Sequence, residues 1–167
     1  MDTQKVVFVN KALNTRLAGL LYIPDGFDLS RNYPAVVVTG PMLSVKEQAQ
    51  SVYAKQLTEA GYVTLVFDGT YFGESEGAPR GQELPDVKES DIEGAVDYLT
   101  SLPYVDSEWI GGLGICGSRL LYVRGGREGT PAQGYYSHRS RHCGHFNLSH
   151  DGLLPSARRS ACCQGSL

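Results

Sequence analysis

Apolar residues fall in runs whose spacing changes along the first 118 positions. Residues 5–10 (Lys5-Val6-Val7-Phe8-Val9-Asn10) and 16–23 are short and largely apolar, with Leu13-Asn14-Thr15 between them. Two runs this close predict an antiparallel hairpin, stopped by Pro24-Asp25-Gly26. Residues 34–39 (Pro34-Ala35-Val36-Val37-Val38-Thr39) are continuously apolar and β-branched, the pattern of a strand buried on both faces; residues 62–67 and 109–115 read the same way. Two helical stretches separate them. Ser44 with Glu47 forms a capping box ahead of a helix that runs to about Ala60, with Val45, Ala49, Val52, Tyr53 and Leu57 toward the sheet and Gly61 as the stop. Asp86 with Glu89 repeats the box ahead of a second helix, whose stripe is Ile92, Ala95, Val96 and Leu99. Leu102-Pro103 breaks it. The order, a hairpin followed by βαβαβ, implies an α/β fold with parallel strands and helices on both faces.

The vocabulary of the chain changes after Ser118. Residues 1–118 hold 8 Lys+Arg and 16 Asp+Glu; residues 119–167 hold 7 Arg, no Lys, and the acids Glu128 and Asp151 alone. All four histidines (His138, His142, His145, His150) lie in the second part, which contains no isoleucine and shows neither a 3.6-residue nor a two-residue apolar period. This divides the chain into residues 1–118, one half of an α/β domain, and residues 119–167, a tail expected to be disordered. We read the tail as a changed reading frame or a mis-spliced exon. The codons permitted for residues 119–126, moved by one base, can encode Gly-Tyr-Tyr-Thr-Ser-Ala-Ala-Ala, a sequence suited to starting a helix.

Charge and segment length narrow the partners. The net charge is -3, which gives no ground for nucleic acid or an anionic membrane as a partner. No leader-like start and no apolar run near the roughly 20 residues of a membrane span is present, so the cytosol is the default compartment. Cys116, Cys143, Cys162 and Cys163 are then expected as free thiols. The stretch from His138 through His142 and Cys143 to His145 has metal-ligand spacing, but Gly144 and its Arg/Ser neighbours argue against the scaffold that zinc needs. We expect no metal and no cofactor.

The chemical motif is Gly114-Ile115-Cys116-Gly117-Ser118, at the end of the third buried strand. It is similar to the G-x-S-x-G nucleophile elbow, with cysteine as nucleophile and serine in place of the last glycine. A strand-to-helix turn this tight holds its central residue in a strained conformation and needs small neighbours. The next N–H, that of Gly117, can then donate to an oxyanion. By residue type alone Cys116 reads as a small buried packing residue; its place after a buried strand in a βαβ series favours the elbow.

Together with Leu17 to Pro24, Pro41-Met42, Val45-Lys46-Glu47-Gln48, Ala60-Gly61-Tyr62, Phe67-Asp68, Gly73-Glu74-Ser75 and Ala95-Val96-Asp97-Tyr98-Leu99, this motif resembles the dienelactone-hydrolase-like branch of the α/β-hydrolases, near fungal polyketide transferases and related esterases. The resemblance spans about residues 6–118. It implies an incomplete α/β-hydrolase fold, with Cys116 as nucleophile and the N–H groups of Gly117 and Met42 as oxyanion donors. The substrate it implies is a small acyl ester or thioester. The family pattern at the oxyanion turn is His-Pro-Met-Gly, whereas this chain has Gly40-Pro41-Met42-Leu43. The 68–76 loop reads as a structural turn rather than a catalytic one.

The triad of this fold runs nucleophile, acid, histidine. Asp151 follows every histidine, and Glu128 lies ten residues past Ser118. The sequence therefore predicts a truncated chain without turnover. The alternatives are an active esterase or acyltransferase, and a non-catalytic module that binds through its open sheet edge.

Overall fold

The computed structural model describes residues 1–118 and, beyond them, the backbone of two short strands. Strands β1 (Asp2–Asn10) and β2 (Thr15–Ile23) form the antiparallel hairpin, with Val6 opposite Gly19 and Asn10 opposite Thr15. Then come β3 (Tyr33–Thr39), α1 (Ala49–Glu59), β4 (Val63–Phe67), α2 (Pro85–Ser101) and β5 (Val105–Gly114). The sheet order is β1-β2-β4-β3-β5; β2 meets β4 antiparallel, and β3 runs parallel to both β4 and β5. A further pair, β6 (Leu148–Ser149) and β7 (Gly152–Leu153), is antiparallel. The expectation of a disordered tail falls on residues that otherwise lie outside those described.

Side chains alternate across the sheet with the period of two that strands impose. Val37 and Leu65 face α2 and join Phe8, Leu17, Leu21, Ile92, Ala95, Val96 and Leu99 in one core. Val36, Val38 and Val66 face the other way and pack with Tyr22, Ala54 and Leu57 of α1. Burying a side chain of this size contributes about 1.5–3 kcal/mol, so the two cores fix where the strand ends emerge.

Neither predicted capping box forms. The cap position of α1 is Gln48 and that of α2 is Leu84, neither with a side-chain cap hydrogen bond; Pro85 opens α2, with Asp86 in its first turn. Residues 44–48 instead make a turn, in which the Ser44 hydroxyl donates to the Pro41 carbonyl at 2.7 Å and Gln48 Oε1 accepts from the Val45 N–H at 3.1 Å. The face of α1 also differs from the apolar reading. Val52 is exposed, while Gln50, Ser51, Ala54, Leu57 and Thr58 are buried. Hydrogen bonds make the polar positions compatible with burial: Tyr22 Oη donates to Ser51 Oγ, Ser51 Oγ to the Lys46 carbonyl, and Thr58 Oγ1 to the Ala54 carbonyl.

Candidate active site at the strand ends

β5 delivers Cys116 to the carboxyl end of the sheet. The Ile115 N–H donates to the Thr39 carbonyl at 3.0 Å, which holds the end of β5 beside β3. Cys116 follows with φ +58°, opening a single 3₁₀ turn, Cys116–Ser118. Such a φ is uncommon for a residue with a Cβ and is the strained conformation the elbow motif predicts. The thiol is exposed, so the packing alternative for Cys116 does not hold.

The turn after β3 lies against this elbow. A Cβ placed on Gly117 would sit 2.9 Å from Met42 Cγ and 3.2 Å from its Sδ, so glycine lets the two segments touch. The Ser118 hydroxyl, fully buried, donates to the Gly40 carbonyl. The three residues singled out from the sequence, Cys116, Met42 and Gly117, are thus brought together. Met42 and Leu43 are exposed, and Leu43 holds φ +60° where the family pattern has glycine. Its N–H donates to Glu83 Oε2 at 3.0 Å, and Lys88 Nζ donates to Glu83 Oε1 at 2.6 Å. Gly40 has no room for a side chain: a Cβ there would meet Gln50 Oε1 at 2.1 Å and Ser44 Oγ at 2.2 Å. The first turn of α1 occupies the place from which an imidazole would start.

Two buried networks, neither of them read from the sequence, hold the strand ends. Lys46 is 1 % exposed, and its ammonium contacts Asp68 Oδ2 at 2.6 Å, Glu74 Oε2 at 2.8 Å and Glu47 Oε1 at 3.0 Å. Asp68 Oδ1 accepts the Lys46 N–H at 2.7 Å, and Oδ2 accepts the Glu74 N–H at 2.9 Å. Burial alone pushes the Lys46 ammonium down, but hydrogen bonds to Asp68, Glu74 and Glu47 outweigh it and raise the group above the ordinary lysine value. Glu74 is held below the usual carboxylate range by the Lys46 hydrogen bond and charge. In the second network Asp91 accepts from Thr70 N–H, Thr70 Oγ1 and Asn10 Nδ2, each at 2.7 Å. Burial raises its carboxyl nonetheless. Asp68 anchors the 68–76 loop, and Ser75 Oγ donates to the Asp68 carbonyl.

Among the described residues no cluster of three or more His, Cys, Asp and Glu side chains is arranged to hold a metal ion, and no helix is long and apolar enough to cross a membrane. The His138–His145 cluster, Glu128 and Asp151 lie outside the described residues.

A βαβαβ sheet behind a hairpin, ending in a positive-φ elbow that meets the turn after β3, has the architecture of part of the α/β-hydrolase fold. The comparisons with known proteins agree. PA2218 of Pseudomonas aeruginosa, whose crystal structure is solved, superposes with a TM-score of 0.68 at 42% identity, over 72% of this chain and 37% of that one. Polyketide transferase claH of Penicillium crustosum is 35% identical over 107 residues, 63% of this chain and 34% of the relative. The α/β-hydrolase GrgF from Penicillium sp. sh18 shares the fold with a TM-score of 0.67 at 21% identity, over 74% of this chain and 41% of that one. No family model matches. The chain spans about a third of the length of the curated relatives it matches.

Proposed function

We propose that residues 1–118 carry the nucleophile and oxyanion half of an enzyme of acyl ester or thioester hydrolysis, or of acyl (polyketide) transfer. Cys116 is the nucleophile, and the N–H groups of Met42 and Gly117 are the oxyanion donors. One observation carries the reading: an exposed thiol at φ +58° follows a buried strand, with Gly117 in contact with Met42. The thiolate attacks the acyl carbonyl, a C–S bond to Cys116 forms, the acyl C–O or C–S bond to the leaving group breaks, and the departing alkoxide or thiolate takes a proton from solvent; water or an acyl acceptor then cleaves the acyl-Cys116 thioester and restores the thiol. The name of the Penicillium crustosum relative supports acyl transfer.

The second part of the proposal concerns this chain by itself. No histidine lies among residues 1–118, Asp151 follows all four histidines, and Glu128 sits too close to the elbow for the acid of the triad. Deprotonation of the thiol and proton delivery to the leaving group then both lack the imidazole that would serve as base and acid in turn. These 167 residues by themselves therefore do not sustain turnover, and the change of vocabulary at Ser118 supports this. The test is hydrolysis of a chromogenic short-chain ester beside Cys116→Ala. The expected result is no difference in sustained rate, beyond the single equivalent that acylation of Cys116 releases; sustained turnover abolished by the substitution overturns the inactivity.

A further inference from the structure

The turn after β3 has a shape that its sequence does not favour. The Ser44 N–H donates to the Pro41 carbonyl at 3.3 Å, which closes a four-residue turn over Pro41, Met42, Leu43 and Ser44. Leu43, third in that turn, holds φ +60°, and Met42 before it does not share the positive sign. This is the type II arrangement, whose third position normally belongs to glycine or asparagine. A leucine there crowds its Cβ against the backbone and persists only where its surroundings hold it. Types I and II differ by a flip of the central peptide, so whatever grips that peptide selects the turn.

Glu83 supplies the grip. The central peptide carries the Leu43 N–H, which donates to Glu83 Oε2 at 3.0 Å. The other carboxylate oxygen, Oε1, accepts from Lys88 Nζ at 2.6 Å. Lys88 lies in the first turn of α2, whose apolar stripe is buried in the core, and its own N–H donates to the Leu84 carbonyl at 3.0 Å. The side chains of Glu83 and Lys88 are 14% and 16% exposed, too withdrawn for an ordinary screened surface pair. A pair that only opened α2 would need one carboxylate oxygen; the second reaches back 40 residues to the turn.

In a trans peptide the N–H and C=O point opposite ways. The hold on the Leu43 N–H therefore turns the Met42 carbonyl away from Glu83, and a flip would set that carbonyl against the carboxylate. On the other side of Met42, the Pro41 carbonyl accepts from Ser44 Oγ at 2.7 Å. Both peptide planes flanking Met42 are thus fixed, with Met42 against Gly117 of the elbow.

We propose that Glu83 is a positioning residue for acyl transfer: through the Leu43 N–H it locks the type II turn and keeps the Met42 N–H aimed at the oxyanion that forms on the acyl group at Cys116. This rests on Cys116 as nucleophile and Met42 as donor. Glu83 touches no reacting atom. It offsets a backbone strain that glycine at position 43 would not carry.

The test compares two reactions of Cys116 in the 167-residue protein at one fixed pH, each read on the Cys116 peptide by mass spectrometry. Butyryl-N-acetylcysteamine acylates the thiol. The new C–S bond forms, the acyl bond to N-acetylcysteamine breaks, and the departing thiolate takes a proton from solvent; an oxyanion forms on the way. Iodoacetamide alkylates the same thiol by displacing iodide and forms no oxyanion. Glu83→Ala should slow acylation about tenfold, a fraction of the loss that follows outright removal of an oxyanion donor, and should leave alkylation no slower. Adding Leu43→Gly should recover at least about threefold, because glycine adopts a positive φ without strain. If the alanine variant does not fold, Glu83→Gln keeps one acceptor oxygen without the charge and should show the same split at about threefold. A parallel loss in both reactions, or no recovery with glycine, overturns the proposal. No acylation of Cys116 in the unmodified protein overturns the nucleophile reading and this proposal together. Normal acylation that ignores Glu83→Ala overturns this proposal alone.

Discussion

The Ser118 hydroxyl donates to the carbonyl oxygen of Gly40, 78 residues earlier in the chain, and so bolts the elbow to the turn after β3. Both partners sit where the residue departs from the family pattern: serine replaces the last glycine of the elbow, and glycine replaces the histidine of the turn. Ser118→Ala removes the donor from a buried position. We predict a loss of about 1–2 kcal/mol in urea unfolding, together with faster amide exchange at Gly117, because a buried carbonyl loses its partner.

Gly40 and Gln50 are coupled by space. Gly40→Ala brings a methyl to within 2.1 Å of Gln50 Oε1 and 2.2 Å of Ser44 Oγ, and overpacking of this kind costs about 1–3 kcal/mol. Gln50→Ala in the same chain vacates part of that volume. The pair should lose less than the sum of the single variants in a double-mutant cycle; strict additivity would show that the close approach carries no energy.

Lys46 holds two loops at once. Lys46→Met leaves Asp68, fully buried, facing Glu74 and Glu47 without the cation. Removing one partner of a buried pair costs about 3–5 kcal/mol. Adding Asp68→Asn to Lys46→Met should recover part of it, as denaturant midpoints will report.

The titratable groups of the two networks, with the Arg16–Glu76 pair, set a pH window. Glu74 and Glu76 have depressed carboxyls, held down by hydrogen bonds from Lys46 and Arg16 respectively, so their contribution is present above the ordinary value of 4.5 and is lost as pH falls through the depressed one. Asp91 is raised by burial above 3.8 and acts in the opposite sense: its share is present in acid and lost as pH rises. Lys46 is raised, so its contribution is full below 10.5 and lost as pH climbs through the higher folded value. We predict that the urea midpoint falls on both sides of a neutral plateau. Lys46→Met should shrink the alkaline fall and leave the part set by the phenols of Tyr62, Tyr98 and Tyr104, which burial also raises.

The strands were legible because burial on two faces leaves a nearly unbroken apolar run, as in Val36-Val37-Val38. The α2 stripe was legible because Ile92, Ala95, Val96 and Leu99 repeat at helical spacing; all four are buried. The elbow was legible as a string of small residues around Cys116. The buried face of α1 was not, because Gln50, Ser51 and Thr58 are polar and enter the interior on hydrogen bonds that residue type does not announce. The capping boxes failed for a related reason. Ser44 and Glu47 fit the pattern, but the chain spends residues 44–48 on a turn that buries Lys46 against Asp68, 22 positions away. Interactions across that separation leave no periodic trace.

The nucleophile reading is tested most directly by mapping acyl transfer onto the four cysteines. The unmodified protein is incubated with butyryl-N-acetylcysteamine, quenched early and digested, and each cysteine peptide is quantified by mass spectrometry. The account predicts acylation of Cys116 at least about tenfold faster than of Cys143, Cys162 or Cys163, a difference of about 1.4 kcal/mol in barrier. Equal labelling of all four thiols, or none at Cys116, would contradict it.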